Sequence, residues 1–105
     1  MKNIALITGG ESSEWKIALE GAELVEKSLD PSKYNVYKIV LHDGHWRYTD
    51  DEGNVSELDR NDFTLNVKGV KIRPDYALIL IHGTPGEDGR LQGYLDMMHV
   101  PYSSC

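Results

Sequence analysis

The chain has 105 residues, the length of one small domain with a modest core. Eleven Lys and Arg against seventeen Asp and Glu leave a net charge of −6 with histidine neutral, the wrong sign for nucleic acid or an anionic membrane. Hydrophobic residues at 40% and charged residues at 27% describe a globular rather than a disordered chain. The one cysteine, Cys105, excludes an internal disulfide and suits a reducing compartment. The longest apolar runs, 4–7 and 77–81, are too short for a membrane span or a signal core, so a soluble cytoplasmic protein is expected.

Residues 3–8 form an apolar run that meets Gly9-Gly10, which predicts a buried strand feeding a tight turn. Ser12 or Ser13 is expected to cap a helix running to about Leu29, with Glu14 suiting its positive first turn. Ile17, Gly21, Leu24, Val25 and Ser28 share one face of that helix, and Asp30-Pro31-Ser32 ends it. Residues 34–41 read as a second strand, completing a βαβ unit and implying parallel pairing. Residues 46–73 read as antiparallel hairpin decoration around the turn Asp50-Asp51-Glu52-Gly53-Asn54. A strong strand follows at 76–81, then a polar glycine-rich loop, a helix over 90–98 and a short strand at 100–102. The expected fold is α/β: an open, mainly parallel sheet with flanking helices and a small antiparallel hairpin insertion. Tyr102-Ser103-Ser104-Cys105 follows an apolar segment directly, which suggests a domain cut from a longer chain.

Two loops, 9–14 and 82–89, leave the carboxyl ends of parallel strands, where open α/β sheets bind ligands. A helix start there offers backbone N–H groups to an anion, and its carboxylates can meet an ammonium, so the pair forms a half-site for a zwitterionic or phosphorylated small molecule. Glu14 serves equally well as a carboxylate complementing the helix dipole, and His82 as a strand-end histidine bonded to a carbonyl. Glu87 and Asp88 suit capping of the next helix, and His82, Glu87 and Asp88 lack any established metal-ligand spacing. His42, His45 and His99 stand isolated, Trp46, Tyr48 and Tyr76 suit packing, and Asp50-Asp51-Glu52 suits a solvated turn. No phosphate loop, dinucleotide fingerprint, C-x-x-C, H-E-x-x-H or G-x-S-x-G occurs.

The two loops together are more specific than either alone. Gly9-Gly10-Glu11-Ser12-Ser13-Glu14 resembles the GG-x-S-x-E signature that opens the D-alanine–D-alanine ligases. His82-Gly83-Thr84-Pro85-Gly86-Glu87-Asp88-Gly89, continuing through Gln92-Gly93 to Pro101-Tyr102, resembles that family's HG-x-x-GEDG-x-x-QG-x-L…PY segment. The resemblance implies an ATP-grasp ligase of peptidoglycan precursor synthesis, hence of cell wall and cell shape, that joins two D-alanines through an acyl phosphate. It implies that Glu14 binds and orients the ammonium of the first D-alanine as the catalytic carboxylate. His82 then lies beside the reacting carboxyl group, Glu87 supports it, and Ile17 joins the substrate-binding set, with no metal ligand among these residues. Residues 1–105 are expected to be the single N-terminal domain, inactive alone, with the ATP-grasp domains, ATP and Mg2+ (or Mn2+) belonging to the rest of the enzyme. A homodimer is implied as well.

Lys16 and Ala18 depart from the family pattern, which commonly has an acidic residue and a serine there. The alternatives are a non-catalytic dimerisation or binding module, with an apolar patch near 100–102, or the same domain of a ligase that joins D-alanine to another acid.

Overall fold

The structure is a computed structural model describing residues 1–11, 13–81 and 89–104. Strand β1 (Lys2–Gly9) is buried from Ile4 onward and lies at the centre of a six-stranded sheet. It pairs in parallel with β2 (Tyr34–His42) on one side and β7 (Tyr76–Ile81) on the other. Helix α1 (Trp15–Ser28) carries the chain from β1 to β2. Helix α2 (Arg90–Met97) carries it from β7 to β8 (Tyr102–Ser104), again in parallel. The two crossovers run in opposite directions from the centre, which puts α1 and α2 on opposite faces and opens a crevice where β1 and β7 end.

The middle third does more than decorate. Strands β3 (His45–Thr49) and β4 (Val55–Glu57) extend the main sheet antiparallel from β2, giving the order β4-β3-β2-β1-β7-β8. Only β5 (Leu65–Val67) and β6 (Val70–Ile72) form the separate antiparallel hairpin. With α2 this hairpin closes one face of the sheet over a core containing Ala5, Ile7, Ile39, Phe63, Leu65 and Leu95. Tyr94 ties α2 to the hairpin side by donating its hydroxyl to the Arg60 carbonyl at 2.8 Å, and burial pushes its phenol up to about 12.

The expected phase of α1 needs correction. Its buried residues are Ala18 and Ala22, while Ile17 is 59% and Leu24 71% exposed. Gly21, of the expected face, does meet the sheet, a Cβ there standing 2.9 Å from Leu80 Cδ2, and Val25 is half-buried. The small side chains that let the helix approach therefore widen the buried stripe toward Ala18 and Ala22 and leave Ile17 and Leu24 outside it. The N-cap is Glu14 with no side-chain capping bond, so Ser13 does not cap, and Ser12 lies outside the described residues. The last strand begins two residues later than expected. Val100 is 3% exposed, Pro101 exposed and Tyr102 half-buried. Asp51 and Glu52 are exposed in the turn and Asp50 is half-buried, and Lys68 Nζ reaches Asp51 at 2.8 Å.

The tightest joint is at Gly9. It adopts φ +93°, and a Cβ there would overlap the Leu41 carbonyl oxygen across the sheet. Gly44, at φ +75°, has open space around the same position. Gly9→Ala is therefore expected to cost about 3 kcal/mol in urea unfolding, by overlap with backbone as well as strain. Gly44→Ala should cost only the left-handed penalty of about 1 kcal/mol. Equal costs would contradict the overlap.

Candidate functional site

The carboxyl end of β1 meets that of β7 in direct register, with Gly9 opposite Ile81. On its other side Gly9 faces Leu41, and the Gly10 N–H donates to the Leu41 carbonyl. The loop leaving β1 therefore starts in the crevice between the three central strands. Glu14 closes that loop as the N-cap of α1 and is exposed, with its carbonyl accepting the Ala18 N–H at 3.2 Å. Ile17 follows three residues later on the adjoining part of the helix surface. His82 and Glu87 lie outside the described residues, so of the four expected site residues the structure places Glu14 and Ile17 at one end of α1.

Lys16 is exposed, with its ammonium 5.8 Å from the Trp15 ring centre. Ala18 is fully buried under α1, so the residue standing where the family commonly has serine serves helix-to-sheet packing here.

Sequence reasoning passed over three residues that the fold brings to this loop. Both carboxylate oxygens of Glu11 accept backbone N–H groups from the β2–β3 turn, of Asp43 and Gly44, each at 2.9 Å. His42 Nδ1 lies 3.0 Å from the Gly10 carbonyl oxygen. A carbonyl only accepts, so Nδ1 carries the proton and donates. The His42 ring stacks on Trp15, centroids 3.9 Å apart and planes 20° from parallel. These partners are 27 to 33 residues apart in the chain, and no local pattern announces them.

Glu11, His42 and Asp43 also bring donor atoms within 4.8 Å of one another. The set does not suit a nucleotide's magnesium, which prefers an octahedron of oxygens, because one donor is imidazole and both Glu11 oxygens already accept backbone hydrogen bonds. A shallow groove lined by Glu57, Asp59, Thr64, Leu65, Asn66 and Lys71 lies at the hairpin. Two of its charged side chains have partners: Glu57 lies 3.2 Å from His45 and 3.9 Å from Arg47, and Lys71 reaches Asp62 at 3.0 Å.

Comparison with known proteins identifies the family of the whole chain. Residues 3–105 match the family model described as D-ala D-ala ligase N-terminus. The D-alanine–D-alanine ligase of Azobacteroides pseudotrichonymphae is 50% identical over 107 residues, covering 100% of this chain and 32% of that protein. D-alanyl-alanine synthetase A of Vibrio cholerae superposes with a TM-score of 0.82 at 31% identity, over 97% of this chain and 30% of that one. The D-Ala:D-Ser ligase VanG of Enterococcus faecalis superposes with a TM-score of 0.80 at 25% identity, over 96% of this chain and 35% of that one. The chain spans about a third of the length of the curated relatives it matches.

The hydrogen bond from Gly44 comes first in holding the Glu11 carboxyl below its ordinary value of 4.5; desolvation opposes it, and the Asp43 hydrogen bond and the charges of His42 and His45 add to the lowering. A lowered folded value means that the Glu11 contribution to stability is fully present above that ordinary value and is lost as pH falls through the lowered one. An acid titration followed at the Gly44 amide by NMR is expected to show a midpoint below 4.5. A midpoint at or above the ordinary value would contradict the pairing.

Proposed function

The chain belongs to the D-ala D-ala ligase N-terminus family, and from that premise we propose that it forms the wall of a D-alanine–D-alanine ligase that receives the first D-alanine. The observation that carries this reading is the placement of an exposed carboxylate, Glu14, at the start of α1 on the edge where β1 and β7 end side by side. D-alanine is a zwitterion. Its ammonium needs a carboxylate partner once water is excluded, since an unpaired buried charge costs several kcal/mol (about 3–5). Glu14 supplies that partner and fixes which way the amino acid points. Ile17, exposed on the adjoining surface, offers an apolar contact to the methyl group. His82 is assigned to the side of the reacting carboxyl group, with Glu87 holding the imidazole in place.

In the reaction so read, the first D-alanine carboxylate attacks the terminal phosphorus of ATP, forming an acyl phosphate and releasing ADP. The amine of the second D-alanine attacks the acyl carbon, the C–O bond to phosphate breaks, and dipeptide, phosphate and a proton leave. This domain binds, orients and shields the first amino acid. ATP, and the Mg2+ or Mn2+ that neutralises its phosphates, are assigned to the ATP-grasp domains of the same longer ligase. Residues 1–105 by themselves are expected to bind D-alanine weakly and not to turn over. The reading carries a cytoplasmic site of action, where ATP is supplied. It carries a homodimer too, for which Leu24, 71% exposed on the outer surface of α1, supplies an apolar contact. Among the described residues no helix is long and apolar enough to cross a membrane.

A second reading, the same domain in a ligase that joins D-alanine to another acid, is the weaker one: the D-Ala:D-Ser ligase VanG is 25% identical, whereas the curated D-alanine–D-alanine ligases are 45–50% identical. Both readings keep D-alanine as the first substrate. The family match counts against a free-standing binding module.

Glu14→Gln in the full-length ligase is expected to raise the requirement for the first D-alanine by about ten- to a hundredfold, the worth of one charge-assisted contact, with the ATP requirement unchanged. Steady-state kinetics at two D-alanine sites checks this. An unchanged requirement would return Glu14 to plain complementation of the helix dipole.

A further inference from the structure

Glu14 is bracketed by two anchor points on one short segment of chain. Three residues before it, Glu11 is held by the N–H groups of Asp43 and Gly44. One residue after it, Trp15 lies flat against His42. His42 in turn donates to the Gly10 carbonyl, so residues 42–44 grip both ends of the segment that ends in Glu14. Glu11 is exposed and belongs to no strand or helix, so its two hydrogen bonds are not needed to complete the sheet. The bonded turn is itself irregular, with Asp43 at φ +51° and Gly44 at φ +75°. That left-handed pair aims both N–H groups at a single carboxylate, the geometry of a backbone anion nest filled from within the chain.

We propose that Glu11 is a positioning residue for Glu14, with the turn at residues 42–44 as its anchor and the Trp15–His42 stack as the second hold. The inference rests on the reading of Glu14 as the carboxylate that meets the first D-alanine. A carboxylate on a free loop would have to be ordered by the substrate, and that cost would weaken binding. Held at both sides, Glu14 meets the ammonium without reordering, and misplacement on the scale of 1 Å is enough to lose the advantage. Glu11 touches neither substrate nor nucleotide in this account. Its effect passes wholly through the position of Glu14, which makes it separable from a merely structural role.

The test is a double-mutant cycle in the full-length ligase, with Glu11→Ala, Glu14→Gln and the pair. Glu11→Ala is expected to raise the first D-alanine requirement about tenfold, leaving the ATP requirement unchanged and lowering the thermal midpoint only by the loss of its two exposed hydrogen bonds. Trp15→Ala should act in the same direction without altering the carboxylate. In the Glu14→Gln background, Glu11→Ala should add less than about twofold, because the residue it positions has already lost its charge. Glu11→Gln, which keeps the shape and loses one acceptor, should fall between wild type and Glu11→Ala. If Glu14→Gln raises the requirement while Glu11→Ala does not, the positioning role fails and the reading of the site survives. If both raise it and their effects multiply independently, Glu11 acts elsewhere and the proposal is overturned. If Glu14→Gln changes nothing, the reading of the site fails and the proposal falls with it.

Discussion

The backbone of β1 runs so close to Leu41 at Gly9 that a side chain there would occupy the place of the Leu41 carbonyl oxygen. This contact fixes how far the central strand extends before the chain leaves the sheet, and so where the loop to α1 begins. Gly10 then donates its N–H to the same carbonyl, and the chain turns out of the sheet plane toward the helix. Everything on the candidate edge is set from this joint: the direction of the loop, the reach of Glu11 to the turn after β2, and the position of Glu14 at the first turn. The two glycines of the loop are there for the sheet as much as for any ligand.

Much of this architecture was legible in the chain. Apolar runs at 4–7 and 77–81, one ending on glycines, mark two buried parallel strands, because a strand covered on both faces needs no alternation. The phase of α1 was not legible. Ile17 and Leu24 look like core residues by spacing, but the helix packs through Ala18 and Ala22, whose small side chains permit a closer approach. Apolar size and closeness of packing pull in different directions there, and periodicity reports only the first. Strands β3 and β4 were read as decoration because their pairing with β2 is a property of the sheet edge, not of their own short sequences.

The candidate site divides the same way. Glu14 is marked by a motif, and it stands as the N-cap of α1. The Glu11 and His42 contacts were invisible, since they join residues about thirty positions apart and use backbone N–H groups that carry no side-chain signature. His42 looked isolated for that reason, and its stacking on Trp15 appears only once β2 lies beside β1. Lys16 and Ala18, which depart from the family pattern, fall on opposite sides of α1: one meets solvent, the other the sheet. A single substitution in the packing layer and one at the surface are compatible with the same wall.

The central claim is that D-alanine is received at the start of α1, and not elsewhere on the domain. The most direct measurement is a titration of the uniformly 15N-labelled 105-residue chain with D-alanine, followed by amide chemical shifts, with L-alanine as control. Weak, D-selective shifts are expected on residues 9–17, 42–44 and 82–87. Shifts gathered instead on the groove at Glu57, Asp59 and Lys71, or equal shifts with both enantiomers, would contradict the claim.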